Sequence, residues 1–577
     1  MTRRDWVAAT TIALLALAAT VTSLGHDFTF DDRYVILTNS RVHELKNFWH
    51  LFAETYWPRQ LGGDGYRPLV IALFTMEWLA AGGAPWVFHL VNILLTVGAS
   101  LAVYWCAAAI LPRRGAWVAA ALFAVHPVHV EVTGNVVGQS ELIVAVCLAA
   151  AVGVYLRARR HGPLGARAAG AVLSLYVIAL LSKEHAVVFP ALLAVAEATV
   201  LRGNTDRWRV RDVRPLALAI VAITLGWFYI RTLVFGGVAG FYPFPVFQFL
   251  HLGMADRAGM MMTEIPRIAR LLVFPTRLSG DYSPTEVLVT KGFDVVEIPG
   301  IVICFGVLLL AVALRRRAPV VSFGLFWVIV SYLPVSNILV PTGFITAERT
   351  LFVPSIGVVL VAGALATMVE VRSRRAEQIG GLVALALLLS LGLARSIDRQ
   401  RVWKNNDVFF AQLLKDAPNG YRAHFLYGRL VAERLRLHEM EIEYRRAIKL
   451  FPYDISMTLA VASDYYRAGF CEPAVALLDW SFAVEPLAID GRYEYVQCLL
   501  KLHRWPQARA AGLEALRHVR SPLIAPLRGM IASADSALGR RTAYRQPNAQ
   551  ASRKVLALRQ NTSALQPADD PTNPIKR

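Results

Sequence analysis

The sequence predicts an all-α protein, a polytopic bundle of membrane helices followed by a short solenoid of paired helices. Three observations predict it. The chain of 577 residues is 56% hydrophobic with a mean hydropathy of +0.45, more apolar surface than one soluble core can hide. Apolar stretches of near-spanning length recur along residues 1–394. Beyond about residue 395 they stop, and Pro418, Pro452 and Pro486 recur 34 residues apart.

The apolar stretches are 6–24, 86–111, 116–135, 138–156, 168–186, 187–201, 214–235, 298–314, 318–338, 350–369 and 379–394, about eleven spans. A hydrocarbon layer is roughly 30 Å thick and a helix rises about 1.5 Å per residue. Prolines, glycines and charges interrupt several stretches, which leaves the count open by one or two. Arg3-Arg4 before an apolar core resembles a signal peptide. No small-x-small site precedes a mature domain and more spans follow, so the segment reads as a retained anchor.

Two long loops, 25–85 and 236–297, are too aromatic for disorder. In the first, the stretch 69–81 with Glu77 is short for a span and reads as an amphipathic interfacial helix. The second carries Pro243-Phe244-Pro245, an amphipathic segment near 258–274, and Leu278-Ser279-Gly280-Asp281-Tyr282-Ser283-Pro284.

A net charge of +19 invites a nucleic-acid reading, but its distribution argues against one. Basic clusters at Arg3-Arg4, Arg113-Arg114, Arg157/Arg159/Arg160, Arg207/Arg209/Arg211/Arg214, Arg315-Arg316-Arg317 and Arg372/Arg374/Arg375 fall at every second boundary between spans, as the positive-inside rule requires. The N-terminus is then cytoplasmic. The long loops and, with an odd number of spans, the repeats lie outside. The Arg- and Ala-rich bias suits a bacterial inner membrane, with the site and the repeats periplasmic.

In the repeat region, Gly428, Tyr444, Ala447 and Pro452 occupy positions 8, 24, 27 and 32 of the tetratricopeptide pattern within 421–454. A second unit keeps Tyr465, Ala474 and Pro486, and a third keeps Ala508 and Ala515. Each unit is two helices that must stack on neighbours to bury their apolar faces. The expected organisation is a membrane domain 1–394, a helical repeat domain 395–539 that binds a protein acceptor or partner, and a flexible tail 540–577. Among five cysteines, Cys106, Cys147 and Cys304 fall in spans as core filler. Cys471 and Cys498 share the repeat region and could meet there, but nothing in their spacing demands a disulfide.

Chemistry starts at Asp31-Asp32, just after the first apolar run. Two adjacent carboxylates beside hydrocarbon are costly unless water, partners or chemistry hold them. A carboxylate here suits a general base, worth about 10²–10⁴-fold in rate; taken by itself, the pair reads first as a solvated loop or helix N-cap. His126-Pro127-Val128-His129-Val130-Glu131 offers two imidazoles and a carboxylate. Pro127 breaks helical register and no further ligand is evident, so head-group contact is preferred both over metal and over a polar re-entrant turn whose histidines are satisfied by backbone. In Ser182-Lys183-Glu184-His185, Lys183 faces either a phosphate or its neighbour Glu184. Arg231 and Arg349, the latter in Ala347-Glu348-Arg349-Thr350-Leu351, are candidates for bidentate phosphate binding. Snorkelling for Arg231 and an internal Glu348–Arg349 salt bridge are the competing readings.

An ordered set of motifs now stands out: Phe28-x-Phe30-Asp31-Asp32, Tyr66-Arg67-Pro68-Leu69, Phe88-His89-Leu90-Val91-Asn92, Phe123 through Glu131, Gly138-Gln139-Ser140-Glu141-Leu142, Leu181 through His185, Ala347 through Ser355, and Arg401-Val402-Trp403. Together they resemble the transmembrane and tetratricopeptide repeat-containing O-mannosyltransferases and their bacterial relatives, and distantly the protein O-mannosyltransferases of the GT-C fold. The resemblance spans residues 25–410 plus the repeat architecture. It implies an inverting glycosyltransferase whose donor is a sugar on a polyprenyl phosphate and whose acceptor is a hydroxyl, of protein Ser or Thr, outside the cytoplasm. It implies Asp31 as the base and Asp32 as a positioning acid. Arg349 would stabilise the leaving phosphate, with Arg67 or Arg231 assisting. His126, His129, Glu131 and Glu348 would line the substrate cavity and Lys183 would contact phosphate. No cofactor beyond the donor is implied, and a divalent metal is left open. Only about three repeats are recognisable, where animal members carry long arrays. The alternative is a non-catalytic membrane scaffold whose repeats recruit partners; a lipid or solute carrier ranks last, because no inverted repeat is visible.

Overall fold

The computed structural model describes residues 3–59, 63, 65–202, 210–236, 252–286, 294–372, 375–519 and 522–539. It is helical throughout, with no strand among the described residues. Pro243-Phe244-Pro245, Arg207, Arg209, Arg374 and the tail expected over 540–577 lie outside them. The chain divides into two compact units, Met1–Leu430 and Val431–Arg577.

The first unit contains α1 (Arg3–Thr20), α2 (Pro68–Ala81), α3 (Pro85–Ala107), α4 (Arg113–Ala124), α5 (Val130–Gly134), α6 (Gln139–His161), α7 (Ala166–Leu180), α8 (Phe189–Ala198) and α9 (Val210–Phe235). It continues through α10 (Met254–Val273), α11 (Ile298–Leu314), α12 (Pro319–Tyr332), α13 (Phe352–Arg372), α14 (Arg375–Gln400) and α15 (Asn406–Asp416). Proline stands in the first turn of α2, α3 and α12, where its missing N–H is not needed. Every stretch expected to span is helical. By length and composition, however, seven helices among the described residues are able to cross a membrane, or up to eight if the bent pair α4–α5 is one span. The expected eleven is not reached, because α7, α8 and α12 are short. A multi-pass membrane protein follows from the seven alone.

Helices α3, α4, α6, α7 and α13 form the centre of the bundle. Two glycine pairs permit close approach: a Cβ on Gly324 or Gly357 would strike the other's carbonyl where α12 meets α13, and Gly115 and Gly363 do the same between α4 and α13. Small residues replace the hydrophobic drive that lipid withdraws. Helix α2 corrects the amphipathic expectation. Its one charged residue, Glu77, points inward, buried, and both its oxygens accept from Gln139 Nε2 at 2.9 and 3.2 Å. Helix α10 keeps the expected amphipathic pattern, burying Met260, Met261, Ile268, Leu271 and Leu272.

Residues 395–430, expected with the repeats, belong to the first unit. Trp403, Phe409, Phe410 and Leu413 share an apolar cluster with Val130, which draws the segment onto the bundle. The second unit consists of α17 (Leu437–Leu450), α18 (Ile455–Arg467), α19 (Cys471–Val484), α20 (Arg492–Lys501), α21 (Trp505–His518) and α22 (Ile524–Ala537), after α16 (Tyr421–Glu433) crosses the boundary. From α18 onward each helix packs on the next. Ala474, Ala508 and Ala515 are fully buried where helices meet. Cys471 and Cys498 form a disulfide between α19 and α20.

Candidate active site

Asp31 follows a residue in an unusual conformation. Phe30 has φ +57°, a region that a bulky side chain enters only when its surroundings hold it there. The turn sends the two adjacent carboxylates to different places. Asp32 is completely buried and accepts from the backbone N–H groups of Thr29 (3.2 Å), Val136 (3.1 Å) and Val137 (2.9 Å). Asp31 is half-buried and stands in the field of Arg349, Arg422, Arg67 and Lys183, in that order of strength. Burial pushes the Asp31 carboxyl above its ordinary value, and the four cations pull against that rise. For Asp32, burial outweighs the three N–H bonds and raises the value to about 7.

Each of three cations is fixed by a carboxylate of its own. Arg67 Nε meets Glu184 Oε2 at 3.0 Å, and the Tyr66 N–H donates to the other oxygen at 2.8 Å. Lys183 Nζ meets Glu141 Oε1 at 2.6 Å, while His185 Nε2 lies 3.3 Å from Glu141 Oε2. Arg349 gives both its backbone N–H (2.8 Å) and its Nη1 (2.6 Å) to Glu131. Arg67 also lies over the Tyr56 ring at 4.6 Å. Against burial, Arg67, then the backbone N–H groups of Glu184 and Tyr66, and last Lys183 draw Glu184 down to about 2, whereas burial lowers Lys183 against the attraction of Glu141.

These pairings correct two readings. Lys183 pairs with Glu141 and leaves Glu184 to Arg67. Arg349 pairs with Glu131, so the Glu348–Arg349 salt bridge does not form. Glu348 is turned inward, accepting from the Ser279 N–H and the Tyr282 hydroxyl, both at 2.6 Å, and anchors the 279–282 loop. Asp32, expected beside a substrate, has its oxygens committed to the 136–137 turn. His126 accepts from the Val128 N–H at 3.3 Å and reaches the Leu272 carbonyl at 3.0 Å; His129 is buried with Nε2 2.8 Å from Ser355 Oγ. Both imidazoles are thus hydrogen-bonded around the α4–α5 break, where Pro127 opens the helix. Arg231 lies along α9 with its guanidinium over the Phe235 ring at 4.6 Å. The cations acting most strongly on Asp31 are the other four.

Sequence reasoning missed Arg422 and Tyr56. Arg422 Nη1 is 3.8 Å from Asp281 Oδ1. Its signal in the sequence is nil, because it reads as an exposed residue in the first turn of a repeat helix. Tyr56 is 2% exposed and its hydroxyl has no hydrogen-bond partner among the described residues. Burial holds its phenol protonated, well above the ordinary range. No group of three or more His, Cys, Asp or Glu among the described residues is arranged to hold a metal ion.

A carboxylate able to take a proton, standing among cations that are each held by a carboxylate, can receive a proton beside a phosphate whose negative charge is growing. Because each cation is held in place, little reorganisation is needed when charge develops.

No family model matches the chain. Curated relatives do. It is 24% identical to a protein O-mannosyl-transferase of Caenorhabditis elegans over 76% of this chain and 62% of that one. It is 25% identical to the human protein O-mannosyl-transferase TMTC1 over 74% of this chain and 53% of the relative. A shorter match to Drosophila melanogaster Tmtc2 is 38% identical over 34% of this chain and 22% of that one. The chain thus spans little more than half the length of the longer-matching relatives. Among solved structures, the archaeal oligosaccharyltransferase AglB from Archaeoglobus fulgidus, in complex with an inhibitory peptide and a dolichol-phosphate, aligns with a TM-score of 0.42 at 14% identity, over 70% of this chain and 56% of that one. ArnT from Cupriavidus metallidurans bound to undecaprenyl phosphate gives 0.40 at 16%, over 82% and 80%. By its sequence the chain is a distant relative of the transmembrane and tetratricopeptide repeat-containing protein O-mannosyl-transferases.

Proposed function

We propose that the chain is an inverting GT-C glycosyltransferase that moves one monosaccharide, mannose, from a polyprenyl phosphate to a hydroxyl of protein Ser or Thr. The observation that carries this reading is the half-buried Asp31 among Arg349, Arg422, Arg67 and Lys183. Asp31 takes the proton of the acceptor hydroxyl, whose oxygen attacks C1 of the sugar. The bond from C1 to the phosphate oxygen breaks, and its electron pair leaves with the lipid phosphate. One displacement inverts C1. The phosphate gains a charge as it departs, and Arg349, Lys183 and Arg67 stabilise that charge. Glu131, Glu141 and Glu184 hold the three cations in register, and Asp32 holds the turn behind Asp31. A scaffold that only recruits partners has no use for a carboxylate placed in this way.

The names of the curated relatives support mannose and a protein acceptor. With all eleven apolar stretches taken as crossings, the alternating basic clusters support an extracytoplasmic site, and the Arg- and Ala-rich bias supports a bacterial inner membrane. The Cys471–Cys498 disulfide supports the same side for the repeats, since such bonds persist where thiols are oxidised. The repeats would present an acceptor or partner protein. The test is to incubate the purified chain with polyprenyl-phosphate mannose carrying a radiolabel and a periplasmic extract, with and without a chelator. Label entering protein supports the reading, and retention of all label on lipid refutes it. Loss of transfer with chelator would add a metal to the account.

A further inference from the structure

The segment after the last membrane helix lies along the chain that carries Asp31. The Asp27 N–H donates to the Lys404 carbonyl at 2.9 Å, and Thr29 Oγ1 donates to the Trp403 carbonyl at 3.1 Å. The Phe30 N–H donates to Asn406 Oδ1 at 2.8 Å. The Phe30 ring stacks on Phe409 with centroids 5.3 Å apart and meets Phe410 edge-on at 6.1 Å. Buried Trp403 backs Phe409 at 4.4 Å. These contacts converge on the residue with φ +57°. A turn of that kind left to itself selects glycine or asparagine. Here a phenylalanine occupies it, held by a side-chain amide on one side and two rings on the other.

We propose that residues 403–410 form a clasp that sets the direction of Asp31, with Asn406 and Phe409 as positioning residues for the proton transfer. The left-handed turn at Phe30 lets Asp32 enter the 136–137 turn while its neighbour stands among the cations. Were Phe30 to relax to negative φ, the two carboxylates could not keep both places. The proposal rests on Asp31 being the base, but the placement it describes is measurable without catalysis.

The experiment uses the full chain with Cys106, Cys147 and Cys304 replaced by Ser and Asp31→Cys introduced. The thiol is labelled with an anionic and with a cationic methanethiosulfonate. With the clasp intact, the cations favour the anionic reagent by about tenfold. Adding Asn406→Ala or Phe409→Ala lowers that preference severalfold. Phe30→Ala lowers it more than Phe30→Gly, because glycine occupies the left-handed region without penalty. In the otherwise unaltered chain, Asn406→Ala slows mannose transfer from the polyprenyl-phosphate donor to a pool of Thr-rich peptides by about 10²-fold, while binding of undecaprenyl phosphate holds. A charge preference unmoved by Asn406→Ala, Phe409→Ala and Phe30→Ala overturns the clasp. A preference that responds as stated, in a chain whose parent transfers no sugar, upholds the clasp and removes the glycosyltransferase reading instead.

Discussion

Around Asp31, Arg67, Lys183 and Arg349 each meet a carboxylate at 2.6–3.0 Å, and the side chains of Glu141 and Glu131 are only 2% and 3% exposed. In the second unit, Arg445–Glu441 and Arg517–Glu514 have similar separations of 2.6 and 2.8 Å, but their arginines are 75% and 76% exposed. The geometry is alike and the energetics are not. An exposed pair along a helix face gains little over two hydrated ions. A buried pair repays its desolvation poorly, and breaking it strands a charge. Charges persist in such a place when something other than stability calls for them, and the charged donor proposed above would supply that reason.

The largest effect is expected at Glu131. Glu131→Gln leaves the Arg349 guanidinium without its anion and destabilises the first unit by on the order of 2–3 kcal/mol; thermal unfolding in detergent measures it, and Arg349→Gln in the same background should restore part of the loss. Next comes the disulfide. Cys471→Ser should lower stability by about 2 kcal/mol or more, through a loop closed over a sequence separation of 27 residues, and only in the transition of the second unit.

The Arg67–Glu184 pair predicts a pH dependence. Glu184 is lowered from 4.5 to about 2 in the folded protein, so its contribution to stability is complete above 4.5 and disappears as pH falls toward about 2. Unfolding midpoints taken across that window should fall less steeply in Glu184→Gln than in the parent. A shallower slope in the parent would remove the pairing from the account. The smallest effect belongs to the surface. Arg445→Ala should leave the melting temperature of the second unit unchanged to within about 1 °C, and a larger drop would erase the contrast between the two regions.

Much of the fold was legible because hydropathy and a 34-residue proline interval are local signals. The eleven apolar stretches are all helical, but the sequence does not reveal that α7, α8 and α12 stop short. The site was legible in its members and not in its pairings. Lys183 neighbours Glu184 in the chain, yet its partner is Glu141, 42 residues away; Arg349 neighbours Glu348, yet its partner is Glu131, 218 residues away. Long-range ion pairs are set by how helices pack, which adjacency does not encode. The split between Asp31 and Asp32 was hidden for a related reason, since it depends on the backbone of Phe30 and on Asn406, 376 residues distant. Arg422 carried no signal, because only the packing of residues 403–413 on the bundle brings its helix near.

The most direct measurement compares sugar transfer by the parent chain with that of Asp31→Asn and Asp32→Asn, alongside binding of undecaprenyl phosphate. Asp31→Asn should still bind the lipid phosphate, as the cations remain, and should transfer sugar at least about 10²-fold more slowly. Asp32→Asn should be impaired in folding before catalysis. Parent-like turnover by Asp31→Asn would contradict the claim that this carboxylate takes the acceptor's proton.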